Sequence, residues 1–148
     1  MNATFQIILE HVGGDDHCRI FRLAFESGTE RLLLPYPEVT GLRFTALTGH
    51  KVGEWGTRIM AQEPLDEFVL TPGARIAFDL EACINLEPDR EHRWTIRLPV
   101  GTLHAYYLFE VQLGRQRYDF LNKGSRFAGI TKIWAGTVKS NVVEITTT

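Results

Sequence analysis

The chain has 148 residues, a length at which one compact domain is the usual outcome, so we expect residues 1–148 to form a single domain. Its net charge of −2 gives no overall attraction to nucleic acid or to anionic lipid. The first residues lack a basic region, and no apolar run approaches the ~18 residues that a membrane span needs. We therefore expect a cytoplasmic protein with no membrane association.

Apolar and polar residues alternate along most of the chain with a period of two. A strand points successive side chains to opposite faces, so each run predicts a strand with one face in the core. The apolar positions are Phe5, Ile7 and Leu9; Phe21, Leu23 and Phe25; Leu42, Phe44 and Ala46; Ile76, Phe78 and Leu80; Trp94, Ile96 and Leu98; Leu103, Ala105, Tyr107, Phe109 and Val111; and Val143 and Ile145. This pattern places Trp94 in the core.

Turn-forming residues separate these runs. Glycine supplies positive φ and proline presets φ, as tight reversals require. The turns are Gly13-Gly14-Asp15-Asp16, Ser27-Gly28, Thr48-Gly49, Thr71-Pro72-Gly73, Pro99-Val100-Gly101 and Gly114. The best helical candidate, Trp55 to Glu67, is broken by Gly56 and Pro64. We predict an all-β fold, a two-sheet antiparallel sandwich of seven to eight strands, with a closed barrel as the alternative.

Several residues carry a resemblance to a known family. They are Gly49, Trp55, Met60-Ala61-Gln62, the segment from Leu70 to Phe78, and Gly101. Together they resemble the pattern of bacterial intracellular proteinase-inhibitor domains, although Leu103 and His104 stand where that family places a tyrosine. The closing segment, Gly136 and Ser140 to Ile145, is similar to the last strand of bacterial immunoglobulin-like domains. The resemblance implies an immunoglobulin-like sandwich and, as one possible activity, proteinase inhibition.

Two cysteines, Cys18 and Cys83, are compatible with several roles. Antibody-type domains join strands B and F by a disulfide, but Cys83 precedes the segment that best matches strand F. A chain of this length also needs no disulfide to fold. With the cytoplasmic assignment, this predicts two reduced thiols.

One short segment has the composition of a metal site: His11, Asp15, Asp16 and His17 offer two imidazoles and two carboxylates. The alternative is a polar hairpin turn in which an aspartate caps the backbone. The spacing matches no zinc or EF-hand motif. We therefore predict no bound metal and no cofactor.

No motif for catalysis is present. Nucleophilic catalysis needs a nucleophile, a nearby base and an orienting group. His50, His92 and His104 are scattered, and the Gly-x-Ser-x-Gly turn of hydrolases is absent. Phosphate-binding glycine loops are also absent. We predict no catalytic residues.

The C-terminal third is locally basic. Residues 112–139 carry six basic side chains and one acidic side chain, whereas residues 1–111 carry ten basic and sixteen acidic ones. Arginine interleaved with aromatic residues is typical of protein interfaces. The candidates for binding in this segment are Arg115, Arg117, Tyr118, Phe120, Lys123 and Arg126. Single-stranded nucleic acid can use the same mixture, but we do not expect it as the partner; the other alternative is an ordinary surface loop.

Two tryptophans complete the candidate binding site. Trp55 and Trp134 lie in the two longest intervals between strands, Gly53–Glu67 and Gly114–Lys139, where functional loops are common. The sequence thus predicts a non-catalytic module that binds a protein through these intervals. The alternatives are a proteinase inhibitor, or a carbohydrate-binding or metal-dependent enzyme domain.

Overall fold

The computed structural model describes residues 5–57, 67–86, 93–112 and 133–148. Within these ranges it contains strands, one 3-10 turn (Val39–Gly41) and no α-helix. The strands are β1 (Phe5–Gly14), β2 (Cys18–Ser27), β3 (Leu32–Pro35), β4 (Leu42–Ala46), β5 (Lys51–Val52), β6 (Trp55–Gly56), β7 (Glu67–Leu70), β8 (Arg75–Ile84), β9 (Thr95–Ile96), β10 (Gly101–Val111), β11 (Gly136–Lys139) and β12 (Val143–Thr147). The predicted all-β class is confirmed. None of the described segments is a helix long and apolar enough to span a membrane.

The strands form two main sheets. The first sheet has the order β1-β2-β8-β9-β6, and all its pairs are antiparallel except the parallel β8–β9 pair. The second sheet has the order β11-β10-β4-β5, with β12 also paired to β10. A separate antiparallel pair joins β3 to β7. The inner faces share one hydrophobic core, so the predicted sandwich is confirmed.

Strand β10 lies in the interior of the second sheet and is paired along both edges. On one edge its first half pairs with β12 and its second half with β11; on the other edge it pairs with β4. Ser140 fills the break between β11 and β12: its Oγ accepts a hydrogen bond from Tyr107 N (2.8 Å), and its N–H donates to Tyr107 O (2.9 Å). The backbone groups of β10 therefore stay satisfied across the break, as burial requires.

Aromatic rings fill the middle of the core. Phe25 is fully buried and lies 5.1 Å from Phe109, 5.3 Å from Phe68 and 5.8 Å from Phe78, measured between ring centroids. All three pairs are edge-to-face, the arrangement that aromatic quadrupoles favour. The predicted alternation along β10 is confirmed, because Leu103 and every second residue to Val111 are buried.

Three sequence expectations differ from the structure. There are more than eight strands within the described ranges, in part because β5 and β6 are two-residue pieces too short to show a period. Strand β3 went unpredicted because Leu32-Leu33-Leu34 are all buried and do not alternate. Trp94 is not in the core but 43% exposed. It precedes β9, whose two residues are both buried, so the alternation that placed it inside does not extend to it.

Candidate ligand-binding groove

A groove of about 470 Å³ lies where the chain passes from β5 in the second sheet to β6 in the first. The passage depends on Gly53, whose φ is +76°. A Cβ there would lie 2.8 Å from Arg97 O, so a larger residue would be both strained and crowded. The groove is lined by Glu38, Thr40, Leu42, Arg43, Phe44, Lys51, Val52, Gly53, Glu54, Trp55, Trp94 and Ile96.

Two tryptophans give the groove its aromatic surface. Trp55 is half-buried, and its Nε1–H donates to Leu42 O at 2.8 Å, which ties the edge of the first sheet to β4 of the second. Its ring also packs against Phe44, with the centroids 6.4 Å apart. Trp94 has its indole 43% exposed. Trp55 is therefore a fixed wall, whereas Trp94 can offer its ring to a ligand.

A buried tyrosine holds the opposite wall, the turn from Glu38 to Gly41. The Tyr107 hydroxyl, reaching across from β10, donates to Glu38 O at 2.6 Å. Gly41 N donates to the same carbonyl at 3.1 Å, closing the turn. Gly41 has no side chain, and a Cβ there would come within 2.4 Å of the Tyr107 ring. The contacts of Tyr107 on β10 thus hold this turn in place.

The polar lining is mixed in charge, with Arg43 and Lys51 opposed by Glu38 and Glu54. Arg43 lies between the buried Leu42 and Phe44 on β4. Its Nε is buried and has no hydrogen-bond partner within the described part of the chain. A buried donor without a partner costs free energy.

None of the described lining residues is serine, cysteine or histidine, so these residues contain no Ser–His or Cys–His pair. Strands β5 and β6 each pair on one side only among the described residues. Unpaired strand edges can add an extended peptide through main-chain hydrogen bonds.

The predicted binding residues separate in the structure. Trp55 lines the groove, but Trp134 lies elsewhere: its ring packs 4.9 Å from Phe5 and 6.1 Å from Phe109, and its backbone N–H donates to Leu33 O at 2.9 Å. Trp134 is thus partly exposed, with Phe5 and Phe109 packed against its ring. The six candidates from Arg115 to Arg126 lie outside the described residues.

Sequence reasoning missed Trp94 and Arg43 as binding candidates. The period-two pattern assigned Trp94 to the core, so it was not considered as a binding residue. Arg43 carried a usable signal, since a charged residue between two core positions must point outward from β4.

The four residues of the possible metal site each interact with different neighbours. Asp15 Oδ1 accepts from the backbone N–H groups of His17 and Cys18, both at 2.8 Å, and these bonds lower the pKa of Asp15. Asp16 lies 3.6 Å from Arg19 Nη2. This is the capped hairpin turn of the alternative interpretation.

The two imidazoles of that segment also have other neighbours. His17 Nδ1 lies 3.2 Å from Ile84 O, and the His11 ring packs 5.1 Å from the ring of Phe21. Burial, and secondarily the charge of Arg19, lower the pKa of His11. Among the residues that the structure describes, His11, Asp15, Asp16 and His17 form no group with converging ligand atoms.

Comparison of the chain with models of protein families, with curated proteins and with solved structures found no match. The groove is therefore interpreted from its own residues.

Proposed function

We propose that this protein is a non-catalytic module that binds an extended segment of a partner protein in the groove between Trp55 and Trp94. The observation that carries the proposal is that the exposed Trp94 lines the same groove as Arg43, whose Nε lacks a partner within the described ranges. Tryptophan and arginine are the residue types most enriched among energetically dominant interface positions. The edges of β5 and β6 that have no strand partner within the described ranges would supply main-chain hydrogen bonds to the same segment.

The lining also indicates the chemistry of that segment. An acidic side chain of the partner would form ion pairs with Arg43 and Lys51, and an apolar or aromatic side chain would pack on Trp94. Glu38 and Glu54 flank these groups and would disfavour a uniformly acidic peptide. A segment combining one carboxylate with an apolar anchor fits best.

A random peptide library displayed on phage tests the proposal. Peptides selected on the wild-type protein should lose at least tenfold in affinity for Trp94→Ala, because truncating a central aromatic anchor costs about 2 kcal/mol or more. Arg43→Met should weaken the same peptides, and more strongly those that carry a carboxylate. Isothermal titration calorimetry measures both changes.

Tyr36→Ala is the matched control. Tyr36 is 45% exposed, close to the 43% of Trp94, but it packs on Phe68 and Phe78 and does not line the groove. The control should bind the selected peptides as the wild type does. Peptides that bind Trp94→Ala and Arg43→Met unchanged would refute the groove as the binding site.

A carbohydrate ligand is the second candidate, favoured by two tryptophans lining one groove together with charged side chains. Sugar rings pack on exposed aromatic faces while their hydroxyls bond to polar groups. A glycan array distinguishes the candidates: retention of a glycan by the wild type but not by Trp94→Ala would replace the peptide with a sugar. Proteinase inhibition and an immunoglobulin-like ancestry stay predictions from the resemblance alone.

A further inference from the structure

The two cysteines face each other across the first sheet. Cys18 of β2 and Cys83 of β8 are register partners. The neighbouring pair is hydrogen-bonded, because Ile84 N donates to His17 O at 2.8 Å. In an antiparallel ladder such pairs alternate with non-hydrogen-bonded ones, in which the side chains approach most closely. Cys18 and Cys83 therefore occupy the closer kind of pair, with both thiols on the same face.

A carboxylate completes the cluster. Glu81 lies two residues before Cys83 on β8 and so shares its face of the sheet. The two sulfur atoms and a carboxylate oxygen of Glu81 all lie within 4.8 Å of one another. Around a tetrahedral ion with Zn–S bonds of about 2.3 Å, two sulfur ligands stand roughly 3.8 Å apart. Small side-chain rotations would thus bring the three atoms to ligand distance.

From this geometry we propose that Cys18, Cys83 and Glu81 form a binding site for a thiophilic divalent cation such as Zn²⁺. The ion would take two thiolates and one carboxylate oxygen, leaving a fourth position open to solvent on the exposed Glu81 side. The proposal is independent of the groove and replaces the sequence-based expectation that no metal binds.

Arg93 supports the carboxylate. Its Nη1 donates to Glu81 Oε1 at 2.8 Å, which leaves the second oxygen of Glu81 for the ion. A hydrogen-bonded second shell of this kind orients ligating carboxylates. The formal charge is also balanced: Glu81 and Arg93 cancel, and two thiolates cancel the divalent cation.

Binding of the cation requires that the thiols exchange their protons for the metal ion. Burial, and then the neighbouring Cys83 and Glu81, raise the pKa of Cys18 to about 11. Ligation requires deprotonated sulfur, so each thiol that is protonated when the cation arrives loses its proton to the buffer as its metal–sulfur bond forms. No oxidant or reductant takes part.

Cadmium and zinc titrations of the reduced, metal-free, full-length protein test the site. Cd²⁺ should produce the ultraviolet charge-transfer absorption of thiolate–cadmium bonds, saturating at one equivalent. Zn²⁺ should remove that absorption by competition, and a weakly buffered solution should show proton release. Saturating Zn²⁺ should raise the melting temperature, because a ligand of the native state stabilises it.

Five variants distinguish metal ligands from residues that do not bind the ion. Cys18→Ser should abolish the absorption, and Glu81→Gln should weaken Cd²⁺ binding at least tenfold. Asp79→Asn is the matched control, because Asp79 lies on the same strand and face two residues earlier, bonded to Arg22; it should bind as the wild type does. Cys83 is buried, so Cys83→Ala is made beside Cys83→Ser in case the hydroxyl disturbs folding.

The proposal is overturned by any of three results. One is the absence of a charge-transfer band in protein whose two thiols titrate as free. Another is unchanged binding in Cys18→Ser. The third is equal weakening by Glu81→Gln and Asp79→Asn, which would assign the effect of Glu81 to general surface charge.

Discussion

His11 is a residue whose environment sets a pH dependence. Its ring packs on Phe21, and burial followed by the charge of Arg19 lowers its pKa below the ordinary 6.5. A histidine with a depressed folded-state pKa favours the fold when neutral, so this contribution is present above about pH 6.5 and is lost as the pH falls through the folded-state value. We expect the urea midpoint to fall between pH 7 and pH 5, and to fall less in His11→Gln.

An NMR titration of the His11 ring protons checks the cause directly. The midpoint in the native protein should lie below that of the same protons in urea-unfolded protein, which serves as the internal control. Equal midpoints in the two states, or an unchanged pH dependence in His11→Gln, would contradict the assignment.

At the scale of elements, Asn141 joins the turn between β11 and β12 to the edge strand β1. Its Oδ1 accepts from Leu9 N at 2.7 Å, and its Nδ2 donates to Leu9 O at 3.0 Å. Because β1 ends the first sheet, these bonds satisfy backbone groups that no strand pairs within the described residues. They also connect the two sheets at one side of the sandwich.

We therefore expect Asn141→Ala to destabilise the protein by about 1–3 kcal/mol, the cost of leaving a partly buried amide and carbonyl unsatisfied. Urea unfolding measures it. Val142→Ala, a change at the exposed neighbour, is the control and should stay within about 0.5 kcal/mol of the wild type. A loss for Asn141→Ala no larger than that of the control would show that water replaces both bonds.

The strands that the sequence predicted well are the long ones, and the reason is physical. In β10 one face is in the core over eleven residues, so the alternation repeats often enough to be read. Strands of two residues are placed by their partners: β5 pairs with the preceding β4, and β6 pairs with the distant β9. Their positions depend on pairing register, which no local pattern contains, and the groove is built on these two strands.

Neither of the two inferred sites could be assembled from the sequence alone. Trp55 was identified because it stands in a long interval, but Trp94 is 39 positions further along the chain and is brought to the same groove by the β6–β9 pairing. The Cys18–Cys83 pair likewise depends on the β2–β8 register. Sites that join distant segments follow from the topology of the whole molecule, whereas the capped turn at Asp15 follows from local chemistry alone.

The charge distribution of the whole molecule leads to the last prediction. Six of the sixteen lysines and arginines fall in residues 112–139, and the preceding 111 residues carry a net charge of −6. An acidic partner would therefore be attracted to this segment and repelled by the remainder. Replacing Arg115, Arg117 and Arg126 with Ala should weaken retention of acidic partners in a pull-down. The loss should shrink as salt rises, because exposed charges are screened over about 8 Å at physiological ionic strength.

The control removes the same charge elsewhere. Replacing the exposed Arg22, Arg31 and Arg75 with Ala makes an identical change in net charge on the acidic part of the chain. If attraction is local to the basic segment, only the first triple variant loses its partners at low salt. If both variants lose them equally, net charge alone governs the association; if neither does, the segment has no part in it. Melting temperatures of the two variants establish that each is folded, so a selective loss in the first can be attributed to the three arginines themselves.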